Sequence, residues 1–200
     1  MEIINTIINR VKAILVSPQT EWPIIEAENA PHVKLCTNYL ALLALIPAIA
    51  AFIGYGIIGF RVPILGMHVS SIEIGVRQAI MLYIQMVGGA YLTAFIIDLL
   101  APNFGAQKDL NRTFSLVAYA YTPMLLGGIF FIFPKLSWLA FFAGLYGLYL
   151  LYIGLQPMMK VPTEKQPSYF VVSLLVMLGV AVLLGVILGA ILLPKGMYLW

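Results

Sequence analysis

Charge is scarce in this 200-residue chain: Asp, Glu, Lys and Arg make up 10% of it, against roughly 25% in an average soluble domain. A hydrophobic fraction of 62% and a mean hydropathy of +0.99 take up the difference. Cysteine is nearly missing, and Cys36 alone can form neither an intramolecular disulfide nor a multi-cysteine zinc site. It lies at the edge of an apolar stretch with no electropositive cluster around it, which marks a small apolar residue rather than a reactive thiolate. Histidine is limited to His32 and His68, which fall in segments expected on opposite sides of the molecule, so a shared metal or a histidine dyad is not expected. No HExxH, GxSxG, Walker or GxGxxG pattern occurs. The sequence therefore offers no catalytic residue, no metal site and no cofactor, and it reads as a non-enzyme. The eleven Lys and Arg give a formal net charge of +3 but never form a run, which argues against a nucleic-acid partner. The first 30 residues hold no long apolar core ending in a cleavage site, so the N terminus is expected to be retained.

What the chain has instead is length without charge. Five stretches, 35–60, 78–97, 113–134, 136–159 and 166–194, contain no ionisable Asp, Glu, Lys or Arg. The hydrocarbon layer of a bilayer needs roughly 20 apolar helical residues to cross it. It also offers no water to backbone N–H and C=O groups, so these stretches must be helices. The expected fold is all-α: a polytopic bundle of five transmembrane helices with spans near 35–60, 75–98, 113–134, 136–159 and 168–193. It divides into an N-terminal segment, 1–33, and a transmembrane domain, 34–200. Membrane lipids are the first partners implied.

Within residues 3–15, Ile3, Ile4, Ile7, Ile8, Val11, Ile14 and Leu15 share one helical face, with Asn5, Asn9, Arg10 and Lys12 elsewhere. Such an amphipathic helix is too short to span. Two placements suit it: in the interface with Arg10 and Lys12 near headgroups, or packed against the bundle or a partner. A connector follows in which Ser17 and Pro18 suit a helix start, Trp22 suits an interfacial depth, and Pro23 and Pro31 limit helix length. Glu21, Glu26 and Glu28 make it acidic.

The spans differ. The first carries Pro47 and a series of small residues, Ala41, Ala44, Ala48 and Ala51, which allows close approach and predicts a kink. The second is preceded by Glu73 and Arg77, an ion pair at i, i+4 in the favourable order, and ends at Asp98. The third holds Tyr119, Tyr121 and Pro123, then Gly127 and Gly128; the proline removes a backbone hydrogen bond and marks this helix for a local break. The tyrosine hydroxyls would either repair that break or line a path. The fifth offers Ala181, Gly185 and Gly189, a ladder suited to packing within the bundle, to a homo-oligomer or to a membrane-protein partner. Ionisable residues in or beside a span commonly face the bundle interior, which makes Asp98 a candidate functional carboxylate. The alternative for Asp98 is a solvated helix end paired with Lys108 or Arg112.

Five spans put the N terminus and the second and fourth loops on one side, with seven of the eleven basic residues (Arg10, Lys12, Lys34, Lys108, Arg112, Lys160 and Lys165). Arg61, Arg77, Lys135 and Lys195 fall on the other. The positive-inside rule then places the N terminus in the cytoplasm and the C terminus in the periplasm.

Four segments carry a family resemblance: Pro18 to Trp22, Asp98-Leu-Leu-Ala-Pro102, Ala118-Tyr-Ala-Tyr-Thr-Pro123, and Leu150 through Gly154 to Pro162. Together they resemble the bacterial branch of the Yip1 family, small five-span membrane proteins, over nearly the whole chain. Asp98 and Pro102 keep the ends of a DLYGP-like motif, with Leu100 and Ala101 replacing its Tyr and Gly; Tyr119 and Pro123 keep the interval of the next motif, with Ala118 where the family has Gly. The resemblance implies a bacterial inner-membrane location and a polar cluster of Asp98, Pro102, Tyr119, Tyr121 and Pro123 at the cytoplasmic ends of spans two and three. Eukaryotic members bind Rab-type GTPases largely through a long cytoplasmic N-terminal region. That partner is not expected for a chain with about 30 residues before its first span. The residues favour a non-enzymatic protein that organises the membrane or scaffolds partners; a solute or ion transporter or channel with a site between spans two and three is the second reading, and an intramembrane lipid enzyme the third.

Overall fold

The computed structural model of the chain describes residues 2–61 and 68–192. Two short helices, α1 (Glu2–Val16) and α2 (Pro18–Glu28), precede five helices long and apolar enough to cross a membrane. These are α3 (His32–Ile58), α4 (Ile72–Leu100), α5 (Leu110–Ile132), α6 (Leu139–Met159) and α7 (Gln166–Leu192). A two-residue antiparallel ladder, β1 (Phe60–Arg61) with β2 (His68–Val69), lies between α3 and α4 and leaves the architecture all-α. Lys195 and the end of the fifth uncharged stretch fall outside the described residues.

Neighbouring spans pack through small residues. The face of α3 carrying Ala44, Ala48 and Ala51 is buried, while Leu42, Leu45 and Ile49 on the opposite side are exposed to what would be lipid. α3 is interrupted at Ala44, one turn before Pro47, and Gly128 of α5 approaches Pro47 so closely that a side chain there would collide with the proline ring. α3 also winds in wider π-type turns at Cys36–Leu40 and Phe52–Ile58. The Ala181, Gly185, Gly189 ladder runs along α4: Gln85 donates to the Ala181 carbonyl (3.2 Å). Tyr169, about three turns back along α7, donates to the Ile97 carbonyl (2.8 Å).

α5 breaks at Tyr121, between helical segments Leu110–Ala120 and Thr122–Gly127, and tightens to 3₁₀ geometry at Gly128–Ile132. Pro123 has no N–H to give, so the turn above it loses a bond. The hydroxyl that reaches the break comes from α3, not from Tyr119 or Tyr121: Tyr39 and Thr122 share a hydrogen bond of 2.8 Å, and Thr122 also leans on the Ala118 carbonyl (3.5 Å).

Of the two placements open to α1, the structure shows packing against the bundle. α1 and α2 form an antiparallel hairpin, and Arg10 turns inward to pair with both Glu21 and Glu28. Those two acids lie seven residues apart, two helical turns, and so share one face of α2. The hairpin follows α6 downward. Glu26 faces Lys160 just beyond α6 (3.7 Å), Trp22 packs on Gly154, and the Tyr146 hydroxyl donates to the Leu15 carbonyl (2.8 Å). From Met159 to Tyr146 is roughly thirteen residues, about 20 Å of helix. The hairpin therefore lies along the side of α6, with its tip at Ser17 and Pro18 near the level of Tyr146; Pro18 is buried there, while Val16, Ser17, Gln19 and Thr20 stay exposed. Ser17 N–H bonds to Ala13 O (2.9 Å) and Glu21 N–H to Ser17 O (3.1 Å). Ser17 itself makes no side-chain cap, and α2 continues through Pro23 to end at Asn29, which takes the left-handed conformation at φ 38°.

Candidate functional site

The first motif is a turn that ties two spans together. Asp98, 5% exposed, ends the buried face of α4, and its Oδ1 accepts from the backbone N–H of Asp109 (2.8 Å) and from the Thr113 hydroxyl (3.0 Å). It is neither solvated nor paired with Lys108 or Arg112, because the start of α5 reaches it first. Asp109 is in turn the N-cap of α5, accepting from Asn111 N–H (2.9 Å), while Arg112 pairs with Glu26 of α2 (2.8 Å) and Asp109 (3.4 Å). Pro102 stands in a 3₁₀ turn, Ala101–Phe104, that stops α4. Gly105 at φ 69° then closes a Schellman-type cap, with Ala106 N–H on Ala101 O (3.0 Å) and Gly105 N–H on Pro102 O (3.1 Å). Gln107 N–H bonds to Met159 O (2.9 Å), and Phe104 stacks on Tyr169, which fastens the turn to α6 and α7.

The second motif does not join Asp98 at a shared cavity. Tyr119 faces the hairpin, with its ring edge-on to Trp22 (6.3 Å), tilted over Tyr39 (4.8 Å) and 6.0 Å from the Arg10 guanidinium. Tyr121 faces the opposite way, beside Thr93 of α4, into an apolar cavity of about 220 Å³ among α4, α5, α6 and α7. Pro123 is buried at the break. Glu73 and Arg77 lie at the other end of the bundle; they pair across one turn, and Arg77 also donates to the Leu192 carbonyl (2.9 Å). The two histidines stay apart. His32, at the hairpin end, holds Asn111 (2.7 Å), while His68 is in β2 beyond the far end of α3. Among the described residues no group of three His, Cys, Asp or Glu could hold a metal ion.

Three features were not visible in the sequence. Trp22 is not at a wet interface: it is 1% exposed, its indole N–H is buried without a partner among the described residues, and its ring fills the notch left by Gly154 against Leu116. Thr93 and Ser173 are both fully buried. The register that pairs Ile97 with Tyr169 and Gln85 with Ala181 sets them level, since Thr93 lies four residues before Ile97 and Ser173 four after Tyr169 on antiparallel helices. Third, a cavity of about 550 Å³ opens between the hairpin and the start of α3, lined by Arg10, Glu28, Lys34, Asn38, Tyr39 and Tyr119 among others. Burial by itself would lower the affinity of Arg10 for its proton; the hydrogen bond to Glu28 and the nearby charges of Glu28 and Glu21 outweigh it and push the guanidinium above its ordinary value. Arg10 is a fixed cation in the cavity wall.

The Yip1 domain matches residues 12–191. The chain is 29% identical over 156 residues to the inner membrane protein YohC of Escherichia coli K12, covering 76% of this chain and 80% of that protein, and equally to its counterpart in Escherichia coli O6:H1. No solved structure matches the chain.

Proposed function

Because the chain belongs to the Yip1 family, we propose that this integral membrane protein works without catalysis, organising lipid and scaffolding partner proteins around a fixed polar end of its bundle. The observation that carries this is the commitment of Asp98. Its Oδ1 is spent on the Asp109 N–H and the Thr113 hydroxyl, so the carboxylate holds a turn together instead of facing a hydrated path. The Tyr121 cavity, which Asp98 does not line, is almost wholly apolar, which suits a lipid chain and not an ion. We place the N terminus in the cytoplasm of a bacterial inner membrane, from the excess of Lys and Arg at the hairpin end. Lipid and membrane-protein partners fit this reading, and a Rab-type GTPase does not.

Reconstitution tests it. Purified protein in liposomes, wild type and Asp98→Asn, is expected to give no solute or ion flux above protein-free vesicles, while deletion of residues 1 to 16 removes the cellular phenotype of the intact gene. A specific flux abolished by Asp98→Asn would establish the transport reading instead. Labelling of single cysteines at positions 34 and 77 from either side fixes the orientation.

A further inference from the structure

We propose that the cavity between the hairpin and α3 binds the headgroup of a zwitterionic phospholipid, with the phosphate on Lys34 and the Tyr119 hydroxyl and the ammonium on Glu28. The charge balance carries the choice of ligand. Arg10 is already met by Glu21 and Glu28, and Lys34 forms no ion pair among the described residues. Arg10, Lys34 and Glu28 line the cavity, and Glu21 pairs with Arg10 from behind that lining, so the cluster as a whole sets two cations against two carboxylates and is neutral. A headgroup with one phosphodiester and one primary ammonium keeps it neutral, whereas an anionic headgroup would add an uncompensated charge where desolvation makes it costly.

The floor supplies a second observation. Tyr119 is 5% exposed and lines the cavity, and among the described residues its hydroxyl meets no hydrogen-bonding group. Tyr39 beside it is already engaged with Thr122. A buried phenol left open to a cavity is a donor awaiting an acceptor. The surroundings point to lipid as the source. The cavity is at the hairpin end of the bundle, where a headgroup layer would be. Ile4, Ile8 and Val33, all more than half exposed, lie on the same two helices as the lining residues Ile7, Arg10 and Lys34 and provide an apolar bed for acyl chains.

This inference extends the membrane-organising reading by naming a ligand, and it can fail separately: loss of headgroup selectivity in a protein that still shows no flux would remove the ligand and leave the scaffold. The experiment is a lipid titration of the full-length protein in detergent, read by native mass spectrometry. The probes are phosphatidylethanolamine and phosphatidylglycerol of the same acyl chains, and soluble phosphorylethanolamine. One charge-assisted hydrogen bond is worth about tenfold in affinity. Phosphatidylethanolamine is expected to be retained about tenfold better than phosphatidylglycerol. Lys34→Gln is expected to cut its retention about tenfold and Tyr119→Phe about threefold, with Lys34→Arg restoring most of the loss. Lys34 is exposed, so its replacement does not threaten the fold. Equal retention of the two lipids, a preference for phosphatidylglycerol, or unchanged binding by Lys34→Gln overturns the proposal. Displacement of the lipid by equimolar phosphorylethanolamine overturns the lipid source.

Discussion

Replacing Arg10 with Met is the sharpest test of how the hairpin docks on the bundle. Met keeps the length and apolar bulk of the side chain but leaves Glu21 without its partner between α2 and the bundle. Breaking a buried ion pair costs about 3–5 kcal/mol because an uncompensated charge stays behind. Here the side chains are partly exposed, Arg10 to 17% and Glu21 to 11%, and Glu28 at 43% is largely wet, so its share is screened and small. The working figure is about 2–4 kcal/mol against docking of the hairpin, or at least about a thirtyfold rise in the undocked population.

Trp22 reports the event. It is 1% exposed when docked, and with Trp138→Phe and Trp200→Phe it becomes the sole indole. Arg10→Met is expected to red-shift its emission and raise its quenching by acrylamide. Adding Glu21→Gln to Arg10→Met removes the stranded charge and should recover about half of the loss, a coupling visible in the double-mutant cycle. Native-like emission and quenching in Arg10→Met, or a double variant as damaged as the sum of the singles, would refute the reasoning.

Other substitutions follow from the same contacts. Gly154→Ala sets a Cβ 2.6 Å from both the Trp22 ring and Leu116 Cδ1 and is expected to loosen the hairpin by about 1–3 kcal/mol, read again in Trp22 emission. Asp98→Ala strands the buried Asp109 N–H, while the Thr113 hydroxyl keeps the Asp109 carbonyl (3.0 Å); the cost is about 1–3 kcal/mol, checked by thermal unfolding in detergent, with Asp98→Asn milder because it keeps an acceptor. Gly147→Ala would push against the Ala120 carbonyl at the α5 break, whereas Gly144→Ala meets nothing within 4 Å; the first should lower thermal stability and the second raise it by up to about 1 kcal/mol.

The spans were readable because a bilayer imposes one requirement, uncharged helical length, that composition displays directly. The break in α5 was readable for a similar reason, since the missing N–H of Pro123 is a property of the residue itself. What escaped notice depends on tertiary contact. Nothing local marks Arg10 as the partner of acids 11 and 18 residues away, and on a helical wheel it belongs with Lys12 on a solvated face. Gly154 looks like one more small residue in an apolar run until Trp22 occupies its notch. Pro23 appeared to stop α2, yet the bond it forfeits would fall on the Gln19 carbonyl, and Gln19 is exposed, so the helix continues at little cost. The candidate cluster failed to gather in one place because Tyr119 and Tyr121, two residues apart, necessarily leave a helix on opposite sides.

The four segments that carry the family resemblance are far apart in the chain and adjacent in space. Trp22 of the first lies against Tyr119 of the third and Gly154 of the fourth. Asp98 of the second holds Thr113, whose hydroxyl also reaches the Met159 sulfur of the fourth (3.1 Å). Each motif thus completes another, and together they build the end of the bundle where the hairpin enters. Spanning a bilayer requires none of these contacts, for five apolar helices of adequate length would suffice. The contacts instead fix the wall that presents Tyr119 and Arg10 to the interfacial cavity. A function for this fold therefore belongs at the hairpin end, in the space between α1 and α3, and no longer between α4 and α5, where the turn is fully occupied with holding itself together.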